Sequence, residues 1–545
     1  MLRNGLCYGL LILAFGCRTT GPHTAPVSVP SVLFVSTAGA DANEGRRERP
    51  FRTLEHALRH TEVTEIVVMP GRYRLNNAIV QRKGLKIRGK NATLVGNLSI
   101  EADDTQLESL NIEGTIRVRR AARVRFEKLV AGAPKSAEAR STNANANAKA
   151  ETRDDDRPSS GAPIKHALEV ESSDVELRES VLNCGRRTCL LATTSTLALT
   201  RVDLNAQPNT ARGLRIAQSK ASLETVTLKN TTIAQVVAEH GARITIRDSR
   251  FTSAEGSGVV VVDGSSIKLR RTDILSATRS ALILQDANAR IDHIRASAKS
   301  GPTIGIAGGE TLIAHAEIDG TPVGAVSVIR RQDKGRVRIV GGKIMHLRHP
   351  GVTIASGDVT IQGTVFVGDA TATSDGGEGV LAQGLDTRVN IDAVFEAPTS
   401  FGVSINQDAT GTVSATVTAP RLGAVMVDSA TTERVYIKGL TATDCRQGSG
   451  VVVMDSSAVA ISRAEIRGCS EAGVLAGTGS DVTISGSKFL GNREYGVAAF
   501  GGSRIHLNDT VIQGSRWATF STCIDGARVD DGQANRLLGP TMDCP

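Results

Sequence analysis

Gly450-Val451-Val452-Val453-Met454 is followed 23 residues on by Gly473-Val474-Leu475-Ala476, and after another 23 by Gly496-Val497-Ala498-Ala499. Outward from these three, a small or polar residue before a short apolar run recurs. It stands at Gly213-Leu214, Gln235-Val236, Gly258-Val259, Ala281-Leu282, Thr303-Ile304, Gly402-Val403 and Ala518-Thr519. From about residue 166 to the C-terminus the interval is about 21 to 28 residues, a period that marks a solenoid. Each repeat adds a second strand pattern such as Ile244-Thr245-Ile246 or Val482-Thr483-Ile484, then a Ser or Thr and a further apolar residue. Side chains alternate in and out along each strand, and stacked coils lie ~4.8 Å apart. About sixteen coils make a rod on the order of 75 Å long. Residues one period apart are therefore expected to be spatial neighbours. The fixed ladders of leucine-rich repeats and the long antiparallel blades of propellers are both missing.

The chain has 545 residues, 55 of them Gly, and only 3% aromatic residues. Such a composition suits tightly wound coils with a narrow interior. A length that would otherwise imply several domains needs no division, because a solenoid grows in one dimension.

The N-terminal part adds a second signature. Val32 to Ser36 reads as a strand, Gly39-Ala40-Asp41-Ala42-Asn43-Glu44-Gly45 as a loop, and Phe51, Leu54, Ala57 and Leu58 fall at helical spacing. Glu65 to Tyr73, ending Met69-Pro70-Gly71-Arg72-Tyr73, is a strand and turn. This order, over roughly forty residues, resembles the opening of bacterial pectate-lyase-like proteins. The resemblance implies an all-β fold, a right-handed parallel β-helix with a short capping helix over its N-terminal end. It implies no particular activity, since lyases, hydrolases, epimerases and non-enzymes share it. Residues 31–133 are read as cap and irregular first coils, and 164–545 as the main β-helix with a C-terminal cap. Between them 134–163, with its Asn-Ala run and Asp154-Asp155-Asp156, is too poor in apolar residues to offset its ordering entropy and is expected to be a disordered loop.

Ahead of the cap, Arg3 and the apolar stretch Leu6 to Phe15 form a targeting segment too short to span a bilayer. It ends in Leu13-Ala14-Phe15-Gly16-Cys17, which resembles the lipobox of bacterial lipoproteins, with Ala14 where a leucine is usual. The resemblance implies a signal peptide over 1–17, lipidation of Cys17 and a membrane anchor, followed by a Pro/Thr/Ser tether over 18–30. Arg18 after the cysteine implies an outer-membrane lipoprotein, on either face.

Apart from Cys7 and Cys17, six cysteines remain. Cys445 and Cys469 are 24 residues apart and Cys523 and Cys544 are 21 apart, each about one coil, so each pair is expected to meet as a disulfide. Cys184 and Cys189 would close a small loop. No CxxC pair or companion histidine is nearby to make a zinc set. No metal and no cofactor is assigned from the sequence.

Stacking points to several constellations. Gln218, His240, Asp263 and Asp286 share one offset in consecutive coils. An imidazole beside two carboxylates is acid–base or cation-binding chemistry; the same residues are also ordinary turn formers. His293 and His315 share another offset, as a metal-binding or pH-sensing pair would, or as solvent-face decoration. A basic excess runs through Arg243, Arg247, Lys268, Arg270, Arg271, Arg330, Arg331, Arg336, Arg338, Lys343 and Arg348, with Arg247 and Arg270 at equal offsets. With a net charge of +8 it favours an anionic partner; interspersed acids make a solvated face the other reading. Tyr495 and Trp517, flanked by Arg493 and Arg516, are expected to form an aromatic platform of the kind that holds sugars, or else to pack against the C-terminal cap.

The catalytic sets known in this fold are not found in the sequence. The expectation is therefore a lipid-anchored, non-catalytic binding or structural module of the cell envelope. Its partner would be acidic polysaccharide, lipopolysaccharide or an envelope protein, and not nucleic acid. The alternative is a polysaccharide lyase, hydrolase or epimerase with an atypical site at His240, Asp263 and Asp286. A third reading is an accessory factor like the periplasmic β-helix proteins of cofactor-maturation systems.

Overall fold

The computed structural model describes residues 31–133, 166–207, 209–329, 335–369, 376–431, 433–522, 526–540 and 542–543. The signal segment, Cys7, Cys17, the tether, the 134–163 loop, Arg330, Arg331, Cys523 and Cys544 lie outside the described residues. No helix among the described residues is long and apolar enough to cross a membrane.

The chain winds as a parallel β-solenoid. One sheet stacks twenty short strands, from Ala78–Val80 through Leu214 and Val236 (in Arg212–Ala217 and Ala234–Glu239) to Met542–Asp543. Sixteen of them run from Leu168–Glu171 to Ala518–Thr522, as the period predicts. Twenty strands at ~4.8 Å make the whole rod on the order of 95 Å long. The second sheet is continuous from Val32–Val35 to Arg536–Leu538 and folds around a corner in nearly every coil.

Two details of the register differ from the sequence reading. Val497 pairs with Phe520, so the opening equivalent to Gly496-Val497 is Thr519-Phe520, not Ala518-Thr519. The early coils are also regular. Ala78 pairs with Leu98 and Leu98 with Ile116, in short coils of 20 and 18 residues that fall below the period sought. Ile116 then pairs directly with Leu168, so the 134–163 segment is an insertion within one coil of an unbroken stack.

Sequence dictates the corners. Where the second sheet bends, one residue per coil takes a left-handed backbone: Glu179, Arg201, Thr225, Asp248, Arg271, His293 and His315, with φ between 45° and 56°. That residue interrupts the in–out alternation, so an outward pair such as Asp292-His293 stands between buried Ile291 and Ile294. At the turn between the two sheets, Ser172, Thr194, Gln218, His240, Asp263 and Asp286 form a second left-handed column, φ 49° to 56°. Asn, Asp, His and Gly tolerate this region best.

The interior is a stack of Val, Ile, Leu and Ala. Phe366 and Phe395, one coil apart, are fully buried and stack at 4.7 Å. Inward serines repeat as well. Ser195 accepts from the Ser173 amide at 3.2 Å and Ser219 from the Ser195 amide at 2.9 Å, and each hydroxyl donates to a carbonyl two residues back. Such pairing satisfies polar groups that the turn would otherwise leave buried and unbonded. Cys184–Cys189 and Cys445–Cys469 are disulfides, with Cα–Cα distances of 4.4 and 4.2 Å.

The N-terminal motif is a capping device. The helix is short, Leu54–Leu58, and packs on Val32–Val35 and on the first strand of the twenty-strand stack. Glu55 accepts from the Asn76 amide at 2.6 Å beside that strand. Asp41 accepts from the Arg52 and Thr53 amides, each at 2.9 Å, and from the Thr53 hydroxyl at 2.8 Å, which locks the loop onto the helix start. Covering the first edge prevents an exposed row of unpaired strand groups.

Candidate functional site

The flat outer face of the second sheet, just before the corner, carries four cations and the carboxylates Glu310 and Asp358 around one groove. In successive coils Lys268, Arg290, Leu312, Arg338 and Thr360 lie side by side in one row. Ser266 and Asn288 are paired in a neighbouring row, which continues through Glu310, Arg336 and Asp358. These residues line a shallow groove of about 710 Å³ that crosses five coils, roughly 19 Å along the rod.

Four cations face this groove. Lys268, Arg290 and Arg336 form no side-chain ion pair or hydrogen bond among the described residues, and Arg338 reaches only Gln362 Oε1 at 3.4 Å. Three others of the basic stretch are spent on neighbours, while Arg243, Arg247 and Lys343 form no side-chain ion pair or hydrogen bond among the described residues. Arg271 holds Asp248 with two bonds of 2.6 and 2.8 Å, Arg270 lies 3.8 Å from Asp292, and Arg348 holds Asp369 at 2.6 Å. Arg247 does stack on Arg270, and Asp248 follows it at the corner. Strong pairing to Arg271 holds the Asp248 carboxyl below the usual range. Arg290, absent from the sequence expectation, is central to the groove. The strict alternation Asn288-Ala289-Arg290-Ile291 would have placed it there.

At the corner end of these strands the groove gives way to a second recess of about 540 Å³, lined by Asp248, Arg271, Asp273, His293, Arg295, His315 and Glu317 among others. His293 and His315 stack with ring centroids 4.8 Å apart and planes inclined by 27°. Both Nδ1 atoms face one oxygen of Asp292, at 2.8 and 3.3 Å. Burial pushes the Asp292 carboxyl up, but the hydrogen bonds from His315 and His293 outweigh it and hold the carboxyl below its ordinary value. Sequence reasoning found the two histidines and missed Asp292. Its signal was the doubled polar pair Asp292-His293 that marks a corner.

The His240, Asp263 and Asp286 ladder occupies the left-handed turn column. His240 Nδ1 lies 3.3 Å from Asp263, with both side chains about half exposed. Asp286 repeats the position one coil on. The backbone conformation accounts for these residue types.

Tyr495 and Trp517 do meet, edge to face, with centroids 5.8 Å apart. Tyr495 is level with Ala518, one residue past Trp517. Trp517 is half exposed, and Arg493 and Arg516 are exposed beside the pair.

Residues 387–535 match the family model described as right handed beta helix region. No curated protein matches the sequence. Among solved structures the chain is similar to the periplasmic alginate epimerase AlgG, at 9% identity over 58% of this chain and 78% of that one, TM-score 0.36. It is similar to the receptor-binding tailspike of bacteriophage Det7, at 12% identity over 66% and 73%, TM-score 0.34. A third is the alginate lyase AlyGC, at 10% identity over 88% and 97%, TM-score 0.26. The parallel pairing of both sheets and the family match over 387–535 make the chain a right-handed parallel β-helix.

Proposed function

We propose that this β-helix is an exported, lipid-anchored module that binds acidic polysaccharide of the cell envelope without transforming it. The observation that supports this reading is the groove of Lys268, Arg290, Arg336 and Arg338. Anchoring at Cys17 and export rest on the sequence of the first seventeen residues. A polyuronate carries one carboxylate per sugar ring, and cations in three of the five coils, Lys268, Arg290 and the pair Arg336 and Arg338, meet such a polymer along its length. Guanidinium groups bind carboxylates through paired, charge-assisted hydrogen bonds. Leu312, between the two arginines of the row, offers an apolar spot for the C–H face of a sugar. The alternative His240, Asp263 and Asp286 set stands on an exposed turn, outside the lining of the groove.

The test is calorimetric titration of the purified chain with polygalacturonate and with a neutral glucan. Only the polyuronate should bind, and more weakly as salt rises, because exposed charges are screened over ~8 Å at physiological ionic strength. Replacing all four cations with Ala removes about 2 kcal/mol at ~0.5 kcal/mol each, ~30-fold in Kd. Equal binding of the neutral glucan would overturn the reading. Release of unsaturated products or new reducing ends from the polyuronate would replace it with the enzymatic alternative.

A further inference from the structure

We propose that Asp292, His293 and His315 form a binding site for a divalent transition ion of borderline softness, for which Zn²⁺ is the probe. One ligand atom from each of the three residues lies within 4.8 Å of the other two. Two imidazole nitrogens and a carboxylate oxygen are a zinc donor set, whereas Ca²⁺ and Mg²⁺ favour oxygen-only cages.

The positions are built by the backbone. His293 and His315 sit at the same corner of adjacent coils, with φ of 51° and 50°. The register holds Asp292 opposite Ala314. One coil further, Gly341 occupies the corner, and a Cβ there would lie 3.2 Å from His315 Cδ2. A side chain at that place would crowd the imidazole, so glycine leaves the ring its room.

The surrounding charges fit a site of moderate strength. Arg270 Nε lies 3.8 Å from Asp292 Oδ2, which leaves Oδ1, the atom that both Nδ1 atoms face, for the ion. Arg271, one coil below His293, is neutralised by Asp248. Arg295 is likewise bound to Asp273 by two bonds of 2.8 and 2.6 Å. Three protein ligands leave a coordination position open toward the recess, the arrangement that lets a bound ion take water or an external ligand. The His240 and Asp263 pair lacks a second imidazole, which makes it a natural control.

The inference is independent of what fills the groove, and its test uses no polysaccharide. The full chain, stripped with chelator, is titrated with Zn²⁺ by calorimetry, and with Co²⁺ by visible absorption to report nitrogen ligation. One ion per chain should be lost on H293N or H315N, through at least about tenfold weaker binding. Asparagine tolerates the left-handed backbone, so both variants should keep the parent melting temperature. D292N gives the same loss by removing charge at constant shape. H240N should bind as the parent does. Unchanged affinity in H293N and H315N, or an equal loss in H240N, overturns the proposal.

Discussion

Phe395→Ala tests whether this rod holds together coil by coil. Phe395 is fully buried and stacked on Phe366 at 4.7 Å. Its ring also packs closely on Gly379, where an added Cβ would sit 2.2 Å from Phe395 Cδ1. The wall of the resulting cavity is therefore backbone on one side and a second aromatic ring on another. Neither collapses easily into the space, which places the cost in the upper part of the ~3–5 kcal/mol range for such truncations. In a solenoid that cost falls on one coil and its two neighbours, not on the whole chain. Amide hydrogen exchange reads this directly. At least 3 kcal/mol corresponds to exchange roughly 100-fold faster in Gly357–Gly368, Thr387–Glu396 and Thr410–Thr418. Protection in Val32–Val35 and Arg504–Asn508 should stay at the parent level. Uniform acceleration along the rod, or a local change below about tenfold, would refute the nearest-neighbour reasoning.

Two further outcomes follow from the cap and the single tryptophan. Burial pushes the Asp41 carboxyl up, but hydrogen bonds from Thr53 and Arg52 prevail and hold it below its ordinary value. Its stabilisation is therefore present above the unfolded pKa of ~3.9 and is lost as pH falls through the lower folded value. D41A should cost about 1–2 kcal/mol at neutral pH, read as faster proteolysis of the N-terminal cap, and the difference from parent should vanish in strong acid; a gap that persists there refutes the assignment. Trp517 is the only tryptophan, so its emission should remain unchanged on polyuronate titration if the groove is the site. A saturable shift would move the ligand to the C-terminal end.

The period of Gly-Val and Ala-Leu openings carried the architecture because each coil repeats one packing problem. It failed where the repeat shortened, over Ala78 to Arg119, and slipped by one at Thr519, where Trp517 precedes the strand. Pairing of Cys445 with Cys469 was legible because one coil of spacing is one step of the stack. The candidate site was legible only in part. Counting basic residues selected the stretch that carries the groove but could not separate Arg336 and Arg338, which face it, from Arg271 and Arg348, whose partners lie a coil away. Nor did it single out Asp292, although alternation from Asn288 turns it outward: the corner residue at positive φ is His293, which breaks the parity and so stands outward beside it. Once that break is recognised, Ile246-Arg247-Asp248, Leu269-Arg270-Arg271 and Ile291-Asp292-His293 all read as the same corner.

The left-handed corner has a bearing on how such a molecule acquires chemistry. Its side chain points away from the core, and its place is held by backbone pairing on either side. Exchange among Asp, Asn, His and Gly there asks little of the fold. The corners thus form a row of interchangeable sockets at steps of ~4.8 Å, a spacing at which two neighbours reach one small ion. New function can be written along that row one residue at a time while the valine and isoleucine stack beneath it stays the same.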